Sequence, residues 1–196
     1  RVLFRSGRLT KEQINDMKGA LLSRRPPKRS KTKNVNIFDE KDRQTLIELN
    51  PTRKIPMLKD GEQVIFDSNI IHRYLKHTFE LAPLNWHQEN QLTLINSCND
   101  SLVEMLICQR SDLDTKQDSL FFNLQNERIT EVLSVLNQQV MNKEFNSFDY
   151  PEISLYCLID WIQFRELTDL SVYPALVHFR QSLQSRTSTQ KNDPRL

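Results

Sequence analysis

The apolar positions of the first fifty residues switch between the period of a strand and the period of a helix. Residues 1–5 (RVLFR) form a short apolar run that predicts a strand. Thr10 is placed to cap a helix over residues 11–23, whose apolar positions recur every three or four residues. Residues 34–38 (NVNIF) alternate polar and apolar side chains as a strand does, and Asp39 can cap a second helix that runs to about residue 49, where Asn50-Pro51 ends it. The order therefore begins β-α-β-α.

A hairpin and a third helix are predicted next. Residues 55–58 (IPML) and 63–66 (QVIF) read as antiparallel strands, because the segment 59–62 (KDGE) between them is a turn signal. Residues 67–78 then open with Asp-Ser, which are favoured helix caps, and continue with one apolar face. The full order is β-α-β-α-β-β-α, which is the thioredoxin-like layout.

Only the helical period is found beyond a proline-containing connector at residues 80–87. Amphipathic helices are predicted over 88–109, 119–141 and 174–183. Asp149 and Glu152 have the spacing of a capping box, and the helix that they open is apolar on almost every side. A helix of that kind is typical of the centre of a bundle, where Asp160 is then a charged residue inside the core.

These patterns predict an α/β domain followed by an all-α domain. The predicted bounds are 1–79 for the thioredoxin-like domain, 80–87 for a linker and 88–196 for the helical bundle. The chain opens inside the first predicted strand and without Met, which leaves open whether further residues complete that strand. The last residues (TSTQKNDPRL) read as a polar tail.

Composition changes this picture mainly by exclusion. The 27 basic and 25 acidic residues almost cancel, so overall charge does not argue for nucleic acid as a partner. Three scattered cysteines without a CxxC pair suggest neither a disulfide framework nor a metal site, and a reducing, cytoplasmic setting is expected. No apolar run approaches the roughly 18 residues of a membrane span. With three glycines in all, a glycine-rich phosphate loop is excluded.

The segment 24–33 (RRPPKRSKTK) is the sharpest local bias, with six cations in ten residues. It has two interpretations, a solvated loop between a helix and a strand or a patch that binds an anionic partner such as nucleic acid. The loop is the favoured interpretation. Binding of nucleic acid would show a steep dependence of affinity on salt.

Residues 50–74 (NPTRKIPMLKDGEQVIFDSNIIHRY) closely resemble the glutathione S-transferase superfamily pattern of Asn-Pro, a Lys-Ile/Val-Pro step, a hairpin and an acidic-Ser pair that opens a helix. The later capping box, core helix and closing helix occupy the places that they have in this family. Residues 127–186 look most like the small bacterial homologues. The resemblance implies glutathione as co-substrate, a role in detoxification and a homodimer.

The resemblance also implies roles for particular residues. The peptide before Pro56 would be cis, so that the Ile55 backbone pairs with the cysteinyl residue of glutathione. Ser68, at a helix N-terminus, would receive the γ-glutamyl carboxylate, while Asp67 would meet the γ-glutamyl ammonium. Lys54 could pair with the glycyl carboxylate. Taken singly, a proline can simply shape a strand edge and a serine can simply cap a helix.

Thiolate stabilisation in this family needs a hydroxyl or a cysteine directly after the first strand. In this chain that stretch is SGRLTKE, where Ser6 and Thr10 are the only hydroxyls. Ser6 is the first choice as catalytic residue, because Thr10 has the competing role of a helix cap. Arg5 or Arg8 could add positive potential.

Two functions therefore remain open at this point. The chain is either a glutathione transferase that adds the thiolate to a hydrophobic electrophile or reduces a small peroxide, or a glutathione-binding or protein-interaction module without turnover. The histidines show no partner pattern for metal or acid-base chemistry, and they are interpreted as core or surface residues, namely His72, His77, His87 and His178.

Overall fold

The computed structural model describes residues 2–5, 31–34, 39–190 and 195, and it describes side chains from residue 39 onward. Two compact units are present. The first comprises residues 1–83 with 187–194 and 196, and the second comprises 84–186 with 195. The predicted domain bounds with a linker between them stay a prediction.

A four-stranded sheet forms the centre of the first unit. Its strands are β1 (Val2–Arg5), β2 (Lys31–Asn34), β3 (Met57–Asp60) and β4 (Gln63–Phe66). They lie in the order β2-β1-β3-β4, with β2 parallel to β1 and β3 antiparallel to both of its neighbours. Asp60 pairs with Gln63, so the predicted four-residue turn is a two-residue turn in which Gly61 has a φ of 62°.

The second strand lies earlier in the chain than its apolar alternation predicts. β2 occupies Lys31–Asn34, and the predicted strand over 34–38 overlaps it only at Asn34. The interpretation of 24–33 as a loop is thus wrong for its last three residues. Pairing with β1 specifies this strand, and lysines are common on edge strands because they oppose aggregation. Residues 24–30, residues 35–38 and the predicted helix over 11–23 lie outside the described residues.

Two helices accompany the sheet in the described residues of the first unit before the second unit begins: α1 (Glu40–Leu49) and α2 (Ser68–Thr78). Asp39 caps α1 through a hydrogen bond that its Oδ1 accepts from the Asp42 N–H at 3.0 Å. Leu46 of α1 and Met57 of β3 are buried in one apolar cluster. The short hairpin is thereby anchored from its β3 side.

The second unit is a helical bundle of α3 (Trp86–Arg110), α4 (Leu120–Met141), α5 (Tyr150–Arg165) and α6 (Pro174–Leu183). The predicted capping box of α5 is confirmed, because the Asp149 N–H donates to Glu152 Oε2 at 2.9 Å and the Asp149 side chain accepts in return. α5 is buried along most of its length, and Leu155, Ile159 and Ile162 are completely buried. This confirms its predicted place at the bundle centre.

Two details of the helical part differ from the prediction. α3 begins at Trp86, inside the predicted connector, because Asn85 and Gln88 form a second capping box there. The predicted polar tail contains a short helix, α7 (Thr187–Gln190), which groups with the first unit and buries Ser188. Its four polar residues carry no apolar period that could have revealed it.

The predicted fold class is confirmed: a thioredoxin-like N-terminal domain is followed by a mostly helical C-terminal region. Among the described helices, none combines the length and the apolarity that crossing a bilayer requires.

Candidate functional site

The strand register brings the two predicted binding motifs to one end of the sheet. Met57 pairs with Phe66 at the open end of the β3–β4 hairpin. Pro56 directly precedes Met57 and Asp67 directly follows Phe66, so the two motifs leave neighbouring strands side by side. The motifs are eleven positions apart in sequence, and the hairpin closes that separation.

The peptide bond between Ile55 and Pro56 is cis, as predicted. Pro56 is buried, Ile55 is half-buried and Lys54 is exposed. The Ile55 N–H donates to no group within the part of the chain that the structure describes.

Asp67 is the N-cap of α2, which confirms the predicted helix start. Its Oδ1 accepts hydrogen bonds from the N–H groups of Asn69 at 2.9 Å and Ile70 at 3.2 Å. Its backbone has φ 76° and ψ 136°, a conformation that costs a residue with a side chain on the order of 1–3 kcal/mol. The cap offsets that cost. A strained backbone of this kind persists only where the surrounding structure holds it in place. Such residues are common at ligand-binding sites.

Ser68 is the first residue of α2 and is half-buried. The first turn of α2 contains no acidic residue, but the N-cap Asp67 places its own carboxylate on the N–H groups of Asn69 and Ile70. An anion at Ser68 would therefore be bound through the Ser68 N–H and hydroxyl, which the Asp67 cap does not use. This is compatible with the carboxylate that the resemblance places at Ser68.

Asn50 organises the loop that leads into Ile55. In the sequence, this residue stands out only as part of the Asn-Pro pair, which ends the predicted helix and belongs to the family pattern. Asn50 is completely buried. Its Nδ2 donates to the Lys54 carbonyl at 2.6 Å, and its Oδ1 accepts from the Thr52 N–H at 3.0 Å and the Thr52 hydroxyl at 2.8 Å. The sequence shows the Asn50-Pro51 pair, but it does not show that the Asn50 side chain is buried.

The end of β1 also reaches this region. Phe4 pairs with Met57, so the C-terminal end of β1 at Arg5 lies at the end of the sheet where Pro56 leads into β3. Ser6 and Thr10, the two predicted catalytic candidates, lie outside the described residues.

Several titratable residues outside the candidate site are paired or buried within the second unit. Asp160 is buried and paired with Arg180. His87 lies 3.1 Å from the Glu144 carboxylate, measured from Nε2 to Oε2. Burial raises the pKa of the Cys98 thiol to about 12, which leaves it un-ionised near neutral pH. The described residues contain no cluster of three or more side chains suited to hold a metal ion.

Residues 29–77 match the family model described as glutathione S-transferase, N-terminal domain. The chain carries that domain and has the glutathione S-transferase fold. This confirms the resemblance to the glutathione S-transferase superfamily that residues 50–74 indicated. A search of curated proteins finds no match.

Solved glutathione S-transferases resemble the chain over nearly its full length. A glutathione S-transferase from Methylobacillus flagellatus KT, with glutathione bound, is 21% identical with a TM-score of 0.76, and the match covers 98% of each chain. Glutathione S-transferase 1-6 from Anopheles dirus species B is 18% identical with a TM-score of 0.75, covering 100% of this chain and 94% of its own. A glutathione transferase family member from Pseudomonas fluorescens Pf-5, with bound glutathione, is 20% identical with a TM-score of 0.74 and 98% coverage of each chain.

Proposed function

We propose that this chain binds glutathione at the end of its sheet and transfers the glutathione thiolate to a hydrophobic electrophile, or uses it to reduce a small peroxide. The observation that carries the proposal is the pairing of Met57 with Phe66. This pairing brings the Ile55-Pro56 segment beside the N-terminus of α2, where a peptide can meet the Ile55 backbone and the helix end together. Two of the structural neighbours contain bound glutathione, which supports the same ligand here.

Glutathione is a peptide with two carboxylates and one ammonium group, and the site offers a partner for each part. The Ile55 N–H and C=O pair with the cysteinyl residue as a strand edge does. Ser68 and the first turn of α2 receive the γ-glutamyl carboxylate. Asp67 Oδ2 meets the γ-glutamyl ammonium, since both hydrogen bonds of the cap use Oδ1. Lys54, exposed beside Ile55, pairs with the glycyl carboxylate.

The reaction requires the thiolate, because the thiol is a weak nucleophile. Ser6 follows directly on β1, whose last residue lies at the site end of the sheet, and its hydroxyl donates to the sulfur in this proposal. In conjugation, a carbon–sulfur bond forms as the leaving group departs with the electron pair of its bond to carbon. In peroxide reduction, two glutathione molecules are oxidised to one disulfide as the peroxide is reduced to water and an alcohol.

Calorimetry with reduced glutathione tests the binding step. A chain that binds glutathione is then assayed for conjugation with an aryl halide and for peroxide reduction. Saturable binding with either activity supports the enzyme, whereas no binding up to millimolar glutathione rejects the proposed function as a whole.

The second candidate is a glutathione-binding or protein-interaction module without turnover. It is favoured by the stretch SGRLTKE, which has neither Tyr nor Cys after the first strand. Measurable glutathione affinity with no conjugation and no peroxide reduction would identify this module. The homodimer, the cytoplasmic setting and the domain bounds at 1–79 and 88–196 belong to the proposal under either candidate.

A further inference from the structure

Asn50 is a completely buried polar side chain at the start of the loop that ends in the glutathione-binding backbone of the proposed site. Burying an amide without a hydrogen bond costs roughly 2–7 kcal/mol of transfer free energy, depending on the reference state. Both polar ends of the Asn50 amide form hydrogen bonds within this loop. Nδ2 donates to the Lys54 carbonyl, and Oδ1 accepts from Thr52. The loop is therefore closed around one side chain.

The backbone of Asn50 adds to the same closure. Its N–H donates to the Leu46 carbonyl at 2.8 Å, and its carbonyl accepts from the Arg53 N–H at 3.0 Å. Arg53 has a φ of 55°, which is uncommon for a residue with a side chain and which the surrounding bonds must hold. Asn50 thus ties the last turn of α1 to every residue of the loop except Pro51 and Ile55.

The bond to the Lys54 carbonyl has a directional consequence for Ile55. The peptide group between Lys54 and Ile55 is planar and trans, so its C=O and N–H point in opposite directions. Since the carbonyl points at the buried Asn50 amide, the Ile55 N–H points away from it. That N–H is the donor which the proposed function assigns to the cysteinyl residue of glutathione.

We propose that Asn50 is a positioning residue for glutathione: its Nδ2 holds the Lys54 carbonyl and thereby aims the Ile55 N–H at the ligand. This inference rests on the proposed function for its ligand, while the orientation of the peptide plane can be measured without any ligand. Positioning of this kind raises affinity because the bound geometry exists before the ligand arrives.

Asn50→Asp keeps an oxygen that accepts from Thr52 and removes the donor to Lys54, but it also adds a buried negative charge, so the uncharged Asn50→Ala is measured beside it. Two controls are matched to it. Thr52→Val removes one hydrogen bond to Asn50 and leaves the donor in place. Leu75→Val weakens the buried side of α2 away from the loop and controls for loss of stability alone.

Two quantities are measured on folded protein: glutathione affinity by calorimetry, and the Ile55 amide resonance by ¹⁵N NMR without ligand. We expect Asn50→Asp to weaken affinity roughly tenfold, the effect of one lost well-placed hydrogen bond, and to move the Ile55 resonance. The two controls, Thr52→Val and Leu75→Val, should bind glutathione within about twofold of the wild-type affinity. A purely structural Asn50 would lower the melting temperature with wild-type affinity and an unmoved Ile55 resonance, and that result overturns the inference.

The outcomes separate the two proposals. If the wild-type chain does not bind glutathione, the proposed function fails, and an Ile55 resonance that moves only in Asn50→Asp still supports the positioning of the peptide. If Asn50→Asp does not fold, Asn50→Ala decides the matter by the same two measurements and the same outcomes.

Discussion

Oδ1 of Asp160 lies 2.8 Å from both Nε and Nη2 of Arg180, so a carboxylate in the middle of α5 is paired with a guanidinium on α6. Both residues are 8% exposed. Arg195 adds a longer contact from its Nη1 at 3.1 Å, and its side chain is 34% exposed. Asp160, the charged residue in the otherwise apolar core of α5, is therefore part of a buried ion pair between two helices of the bundle.

Removing one partner of that pair should be strongly destabilising. Arg180→Leu leaves the buried Asp160 carboxylate with only the more exposed Arg195, and breaking a buried pair in this way costs about 3–5 kcal/mol. Arg195→Ala should cost about 1 kcal/mol or less, because solvent screens its contact. Urea unfolding measures both. Equal losses for the two variants would show that the Arg180 pair is not the dominant contact.

Glu152 allows its capping role and its charge to be separated. Burial raises the pKa of its carboxyl above the ordinary value of 4.5, and the hydrogen bond from the Asp149 N–H opposes that shift. A raised pKa means that stability contributed by the neutral acid is present below about pH 4.5 and is lost as the pH rises through the folded-state pKa.

Glu152→Gln keeps the acceptor without the charge, so it should be as stable as the wild type or more stable at pH 7. Glu152→Ala loses the cap and should cost roughly 0.3–1.5 kcal/mol. Thermal unfolding at pH 7 and pH 4 measures both, and the advantage of Glu152→Gln should shrink at pH 4. A Gln variant as unstable as the Ala variant at pH 7 would contradict this account.

Cys98 should be unreactive in the folded chain. Burial raises the pKa of its thiol from 9.0 to about 12, and the thiolate is the reactive form. A variant with Cys108→Ser and Cys157→Ser keeps Cys98 as its remaining cysteine. Its thiol should react with a disulfide reagent at pH 8 only after urea unfolds the chain. By linkage, the stability contributed by the neutral thiol is present below pH 9 and is lost between pH 9 and pH 12.

Asp67→Asn tests the charge at the proposed binding site. Asn caps helices about as well as Asp and tolerates positive φ, so the melting temperature should hardly change. Glutathione affinity should fall roughly tenfold or more, because a hydrogen bond to a charged group contributes about 1.5–3 kcal/mol. Asp67→Ala is the comparison, since it also loses the cap. Unchanged affinity in Asp67→Asn would remove the ammonium contact from the proposal.

Ser6→Ala should separate catalysis from binding. If the Ser6 hydroxyl stabilises the thiolate, kcat for conjugation falls by roughly a hundredfold, the low end for a positioned proton-transfer group, while glutathione affinity is retained. Thr10→Ala is the matched control, because its predicted role is a helix cap. Steady-state kinetics with calorimetry measure both. The reverse result, with activity lost only in Thr10→Ala, would exchange the two roles.

Elements with a strong local period were predictable. The helix over 67–78, the hairpin, and α5 with its capping box are specified by residues within a few positions of one another, and all three are found. β2 was misplaced, because Lys31–Asn34 has no apolar alternation and is specified by pairing with β1. The Asn50-Pro51 pair is recognisable in the sequence, but the role of the Asn50 side chain is not. Its three hydrogen bonds within the loop depend on the folded path of that loop.

The sequence by itself determined the β3–β4 hairpin, the caps at Asp67 and Asp149, and the two motifs at Ile55-Pro56 and Asp67-Ser68. Local propensity and short spacing are sufficient for these, because each depends on neighbouring residues. Only the tertiary structure decided that the motifs lie side by side, that the buried Asn50 amide donates to the Lys54 carbonyl, and that Asp160 is paired with Arg180. These relationships depend on strand register and burial, which arise from contacts between distant parts of the chain.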